Sequence, residues 1–192
     1  MFDEGFPLWA WIGFACALYF VLTRLLRQKF PKNFSARVVW VCDGDTIWVK
    51  PFLSRKRKIR LLGMDAPESE QRWGSESQQY LDSLVGGKRV QLHTITTDMY
   101  GRWVSRVEIN GIDVSLAMIE AGLAWPYYSY FRNLSQDDRR SYAAAGKRAK
   151  AQRVGLWQDA TPETPWDWRK RHRSWIDRLL WPLRKLWKRL FD

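Results

Sequence analysis

Five short β-branched runs follow one another from residue 36, and their number and spacing narrow the fold more than any other part of the sequence. Residues 36–42 and 46–52 flank Asp43-Gly44-Asp45 and are expected to form a hairpin. Residues 58–64 give a third strand after the basic turn Ser54-Arg55-Lys56-Arg57. Residues 68–85 suit a helix, with Trp73, Leu81, Leu84 and Val85 facing inward and Gly86-Gly87 as its stop. Residues 89–94 and 103–109 supply two more strands, the second ending at an Asn110-Gly111 turn. A short helix over 114–121 follows, with Gly122 as its cap, and Ser135 with Asp138 three residues on opens another that ends near Gly155. The expectation is an α+β chain: a small closed five-stranded barrel carrying three helices.

The chemistry lies at the ends of these runs. Asp43-Gly44-Asp45-Thr46 closes the first, Arg60-Leu61-Leu62-Gly63-Met64-Asp65-Ala66-Pro67-Glu68 contains the third, and Tyr100-Gly101-Arg102 precedes the fifth. Asp45 and Asp65 offer hard oxygen donors at adjacent strand ends, which suit Ca²⁺ or Mg²⁺ and not a soft metal. Glu68 stands three residues beyond Asp65, placed to orient or deprotonate a water. Arg60 and Arg102 can each donate paired hydrogen bonds to a phosphate. Together these groups satisfy the needs of phosphodiester hydrolysis: a nucleophilic water, a polarised phosphorus and neutralised charge. A formal net charge of +12 and a pI near 10.0 point the same way, toward an anionic partner, nucleic acid or anionic lipid. With only His93 and His172, histidine catalysis and a His/Cys zinc site have little support. Cys16 and Cys42 form no disulfide pattern.

Over roughly residues 36–158 the sequence resembles the staphylococcal nuclease (thermonuclease) family, in the motifs DGDT, RLLGMDAPE, YGR and Gly122-Leu123-Ala124 with tyrosines just after. The resemblance implies an OB-like five-stranded barrel with three helices and metal-dependent cleavage of DNA and RNA. It places the calcium aspartates at Asp45 and Asp65, with a backbone carbonyl contact at Ala66, and Asp43 as an acid behind them. It places the glutamate proposed as general base at Glu68 and the phosphate-binding arginines at Arg60 and Arg102. Tyr100 and Tyr128 or Tyr130 fall on positions that line the nucleotide pocket. The cofactor implied is Ca²⁺, and no obligate protein partner is inferred.

The flanks add a location. Residues 6–23 carry no charge, and residues 6–26 form a candidate single-pass transmembrane anchor if Arg24 snorkels. A cleaved signal peptide is the alternative, but Asp3 and Glu4 precede the run and Arg24, Arg27, Lys29 and Lys32 follow it. That asymmetry predicts a nuclease domain on the cytoplasmic side of a membrane. The chain thus divides into an anchor (6–26), a basic linker (27–35), a thermonuclease-like domain (36–160) and a basic amphipathic tail (165–192). Residues 169–189 hold nine Lys/Arg against one Asp, with Trp and Leu at helical spacing. Three roles remain open for the tail: lying on membrane lipid, gripping nucleic acid, or packing on the barrel.

Two plainer readings stand beside the nuclease. Asp43-Gly44-Asp45 alone is an ordinary hairpin turn. A barrel of the same fold can also be a catalytically weak nucleic-acid-binding module or a membrane scaffold that binds protein.

Overall fold

The computed structural model describes residues 32–172. The expected anchor at 6–26 and the tail beyond His172 lie outside the described residues. Among the described residues, no helix is long and apolar enough to cross a membrane.

Five strands close the barrel: β1 (Asn33–Val41), β2 (Thr46–Pro51), β3 (Arg57–Leu61), β5 (Arg89–Thr97) and β6 (Trp103–Ile109). They run in the order β3-β2-β1-β5-β6, all antiparallel, and a parallel β3–β6 pairing joins the two edges. Closure leaves no open edge among these five, and their alternation puts one side chain in two inward. Val38, Ile47, Val49, Ile59, Leu61, Val90, Leu92, Val104 and Val107 fill the interior. β7 (Ile112–Asp113) extends the sheet beside β6, and β4 (Met64–Asp65) pairs with β8 (Trp125–Pro126) in a separate two-stranded ladder. These two-residue strands were not expected. The run forecast as one strand over 58–64 is broken at Leu62-Gly63, so Asp65 hangs on the second ladder rather than the barrel wall.

Among the described residues the α-helices are α1 (Gly74–Val85), between β4 and β5, and then α2 (Val114–Glu120), α3 (Gln136–Ala151) and α4 (Pro165–His172). The helix expected over 68–85 starts at Gly74 instead. Residues 68–73 form two successive turns, Gln71 N–H to Glu68 O and Gly74 N–H to Gln71 O, both 2.9 Å. Pro67 and the polar run Glu68–Arg72 lack the apolar spacing that a core-facing first turn needs. A Cβ on Gly74 would meet the Glu68 carbonyl at 2.0 Å, so only glycine lets this turn fold against the helix start.

α1 packs on the barrel through Ser77, Leu81 and Val85 and braces the hairpin. A Cβ on Gly44 would stand 2.0 Å from Ser77 Oγ and 2.7 Å from Ala66 Cβ. The turn that carries Asp43 and Asp45 is therefore pressed against α1 and against the residue after Asp65. Ser77 Oγ in turn donates to the Leu123 carbonyl at 2.8 Å. One tight junction thus fixes both aspartate-bearing segments.

Candidate active site

Register brings the site together. Thr46 of β2 lies opposite Arg60 of β3, and Arg60 is next to Val104 of β6. Asp45 sits just before β2, and Asp65 ends β4. The Arg60 guanidinium bridges the two acids, with Nη1 2.8 Å from Asp45 Oδ2 and Nη2 2.6 Å from Asp65 Oδ1. All three are buried: Arg60 at 5%, Asp45 at 7% and Asp65 at 1% exposure. Asp45 Oδ1 also accepts from the Thr46 hydroxyl at 2.8 Å, and Oδ2 from the Ala66 N–H at 3.2 Å. Arg102 donates through Nη1 to Thr46 Oγ1 at 3.1 Å and through Nε to Asp98 Oδ2 at 2.6 Å. The Asp98 carboxylate also accepts the N–H groups of Tyr100 and Arg102, each at 2.9 Å, which shapes the turn before β6.

The structure gathers Asp45, Asp65, Ala66, Arg60 and Arg102 as the sequence suggests, and links Glu68 to Asp65 through a residue the sequence did not flag. Arg169 of α4 reaches Asp65 Oδ2 through Nη2 at 2.6 Å and Glu68 Oε1 through Nη1 at 2.6 Å. Its Nη1 is also 3.3 Å from Asp65 Oδ1. α4 is seated beside the site by Gln71 Nε2, which donates to the Glu163 carbonyl at 2.6 Å, and by Trp166, whose ring lies 6.5 Å from Trp125 and 6.2 Å from Tyr127. The signal that marks this helix was present: Thr164, Pro165 and Asp167 give a cap, a first-turn proline and a first-turn acid. The described start of the tail therefore packs on the folded unit, one of its three expected roles.

Tyr100 is exposed, with the Arg102 guanidinium 5.5 Å from its ring centroid. Tyr128 is exposed on a 3-10 turn (Tyr128–Asn133), and the Tyr130 side chain lies outside the described residues. Arg60 differs from expectation in one respect: both of its Nη groups are committed to carboxylates, so in this state it neutralises the acids rather than facing outward for phosphate.

Burial and charge set the protonation. Burial, then the neighbouring Asp45 charge, pushes the Asp43 carboxyl up to about 7. Burial opposes the Asp45 charge as well, yet Arg60, the Thr46 hydroxyl, Arg102 and the Ala66 N–H hold it below the ordinary carboxylate range. The Asp43–Asp45 pair thus keeps its negative charge on Asp45, which faces the guanidinium. Burial raises Asp65 despite Arg60 and Arg169. Among the described residues, no group of three or more His, Cys, Asp or Glu side chains gathers as a metal cluster. A hard cation nevertheless fits the donors, since the carboxylates of Asp45 and Asp65 converge on one positive group.

Residues 58–159 match the family model for staphylococcal nuclease homologues. The chain belongs to the staphylococcal nuclease family. A staphylococcal-like nuclease of Arabidopsis thaliana is 40% identical over 122 residues, covering 64% of this chain and 36% of that protein. An uncharacterised endonuclease of Escherichia coli is 41% identical over 137 residues, 70% of this chain and 84% of its own length. A further uncharacterised endonuclease, from Haemophilus influenzae, is 34% identical over 157 residues, 82% of this chain and 84% of its own. The chain spans about a third of the plant relatives it matches (34% and 32% for two of them) and most of the bacterial ones. Arg169, Asp45 and Asp43 fall outside the residues of the family match.

Proposed function

We propose that the chain is a Ca²⁺-dependent endonuclease that hydrolyses phosphodiester bonds of DNA or RNA. The observation that carries this reading is the Arg60 bridge between Asp45 and Asp65, a buried acid pair held at one positive group within reach of Glu68's partner Arg169. Asp45, Asp65 and the Ala66 carbonyl would hold the cation, whose charge would polarise a phosphoryl oxygen and a bound water. Glu68, part-exposed on its turn, takes the proton of the attacking water. Arg102, anchored by Asp98 and steered by Thr46, presents its guanidinium to the phosphate. Arg60 exchanges a carboxylate partner for a phosphate oxygen as substrate enters. Tyr100, and Tyr128 or Tyr130, line the nucleotide.

The test is cleavage of single-stranded DNA by the purified full chain. Cleavage should appear with Ca²⁺, stop on chelation and return on Ca²⁺ addition. A folded protein that cuts neither DNA nor RNA under any divalent cation refutes the reading. The uncharged run at 6–23 and the basic residues after it support a membrane tether with the nuclease domain on the cytoplasmic side. Protease protection of a C-terminal tag in intact membranes tests that orientation.

A further inference from the structure

We propose that Arg169 is an affinity-determining residue of the cation site: a tethered positive group that competes with the divalent ion for Asp65 and Glu68. The inference rests on the reading that this site takes a divalent cation. Its Nη2 is 2.6 Å from Asp65 Oδ2 and its Nη1 2.6 Å from Glu68 Oε1, so one guanidinium occupies oxygens of both acids. Asp65 is almost fully buried, and its other oxygen is taken by Arg60. A divalent ion bound at Asp65 would stand against two guanidiniums, and the like-charge repulsion in so dry a place is large. In the absence of substrate, Arg60 stays buried on the barrel wall between Asp45 and Asp65. Arg169 is the one that can leave: its side chain is 41% exposed, and it rides on an eight-residue helix after the last element of the barrel.

The helix is built to present that side chain. The Thr164 hydroxyl accepts the Asp167 N–H at 3.3 Å and caps α4. Arg171 pairs with Glu163 at 2.7 Å, Gln71 holds the Glu163 carbonyl, and Trp166 lies among the Trp125 and Tyr127 rings. These contacts keep the guanidinium beside Asp65 at an effective concentration that dilution cannot lower. Cation affinity and the seating of α4 are therefore coupled, and by linkage each weakens the other to the same degree. A nucleic acid or other partner that draws α4 off the barrel would open the cation site.

The test is calorimetric titration of Ca²⁺ into the full chain, without substrate, for wild type, Arg169→Gln and Trp166→Ala. Arg169→Gln should bind Ca²⁺ about 5–150-fold more tightly, the usual range of coupling between sites. Trp166→Ala keeps the arginine but loosens its seat, and should shift affinity in the same direction by less. In chelator, Arg169→Gln should melt below wild type, and saturating Ca²⁺ should shrink that gap. Wild-type affinity that Arg169→Gln leaves unchanged or weakens overturns the competition and makes Arg169 a support for the acids. Absence of Ca²⁺ binding in all three folded proteins defeats the cation reading itself, a distinct failure.

Discussion

Two of the arginine–aspartate clusters among the described residues use the same residue types for different ends. In one, Arg60 and Arg169 grip Asp65 while Arg60 also grips Asp45. In the other, Arg106 of β6 meets Glu108 at 2.7 Å, Asp113 at 3.3 Å and Asp138 at 2.7 Å. Burial raises the carboxyl of Asp113 just as it raises that of Asp65. A perturbed acid by itself therefore does not mark an active site. The partners separate the two. Asp113 Oδ1 accepts the Ser115 and Leu116 N–H groups at the start of α2, and Oδ2 accepts the Tyr142 hydroxyl of α3 at 2.7 Å. Those bonds tie the sheet to two helices. Asp45 and Asp65 instead share one guanidinium, and a second comes from a peripheral helix. On the proposed function the first cluster's charges exchange, whereas the second cluster's bonds hold elements of the fold together.

The sharpest way to break that comparison is to remove one acid from each cluster. Glu68→Gln keeps an acceptor for Arg169 and should lower the rate of DNA cleavage by about 10²–10⁴-fold. The same change at a part-exposed turn should move stability by no more than about 0.5 kcal/mol. Asp113→Ala should do the reverse. It removes the cap of α2, a loss of about 1 kcal/mol, and a charge-assisted bond to buried Tyr142 worth about 1.5–3 kcal/mol. Urea melts should show a loss of roughly 2.5–4 kcal/mol, with kcat of the folded fraction unchanged. If Glu68→Gln unfolds the protein or Asp113→Ala stops turnover of folded enzyme, the division of roles is wrong.

How much of this was legible in the sequence follows from the range of the forces involved. The barrel strands show because the inward face must be apolar at every second residue, as in the buried Val90 and Leu92 of β5. The acids at strand ends show because Asp45 and Asp65 interrupt such runs. The turn over 68–73 is marked in the sequence only by missing apolar spacing after Pro67, and the close approach of Gly74 to the Glu68 carbonyl is a contact without a sequence pattern. The β4–β8 ladder is two residues long and carries no period. Arg169 is one of nine basic residues in a stretch that reads as an amphipathic face, and its partner lies 104 positions away. The caps of α4 announced a helix but not its target. Asp113 escaped for the opposite reason: an acid before a short helix looks like an ordinary cap, and it is one.

The smallest effect tests the structural cluster alone. Tyr142 is 1% exposed, and burial, then the Asp113 charge and the bond to it, holds its hydroxyl protonated well above the usual tyrosine range. The unfolded chain ionises this group near pH 10, while the folded protein does not, so above pH 10 the unfolded state holds fewer protons. The Tyr142 contribution is therefore complete below pH 10 and is lost as pH rises beyond it, at about 1.4 kcal/mol per pH unit. Tyr142→Phe has no such proton to lose. At pH 8 it should be less stable than wild type through the missing bond to Asp113. By pH 11 the gap should narrow by about 1.4 kcal/mol. Urea melts of both proteins from pH 8 to 11 measure this, and other titrating groups cancel in the difference. A gap that stays constant with pH would mean that Asp113 does not lock the Tyr142 proton. The Arg106 cluster would then be as open to exchange as the one at Asp65.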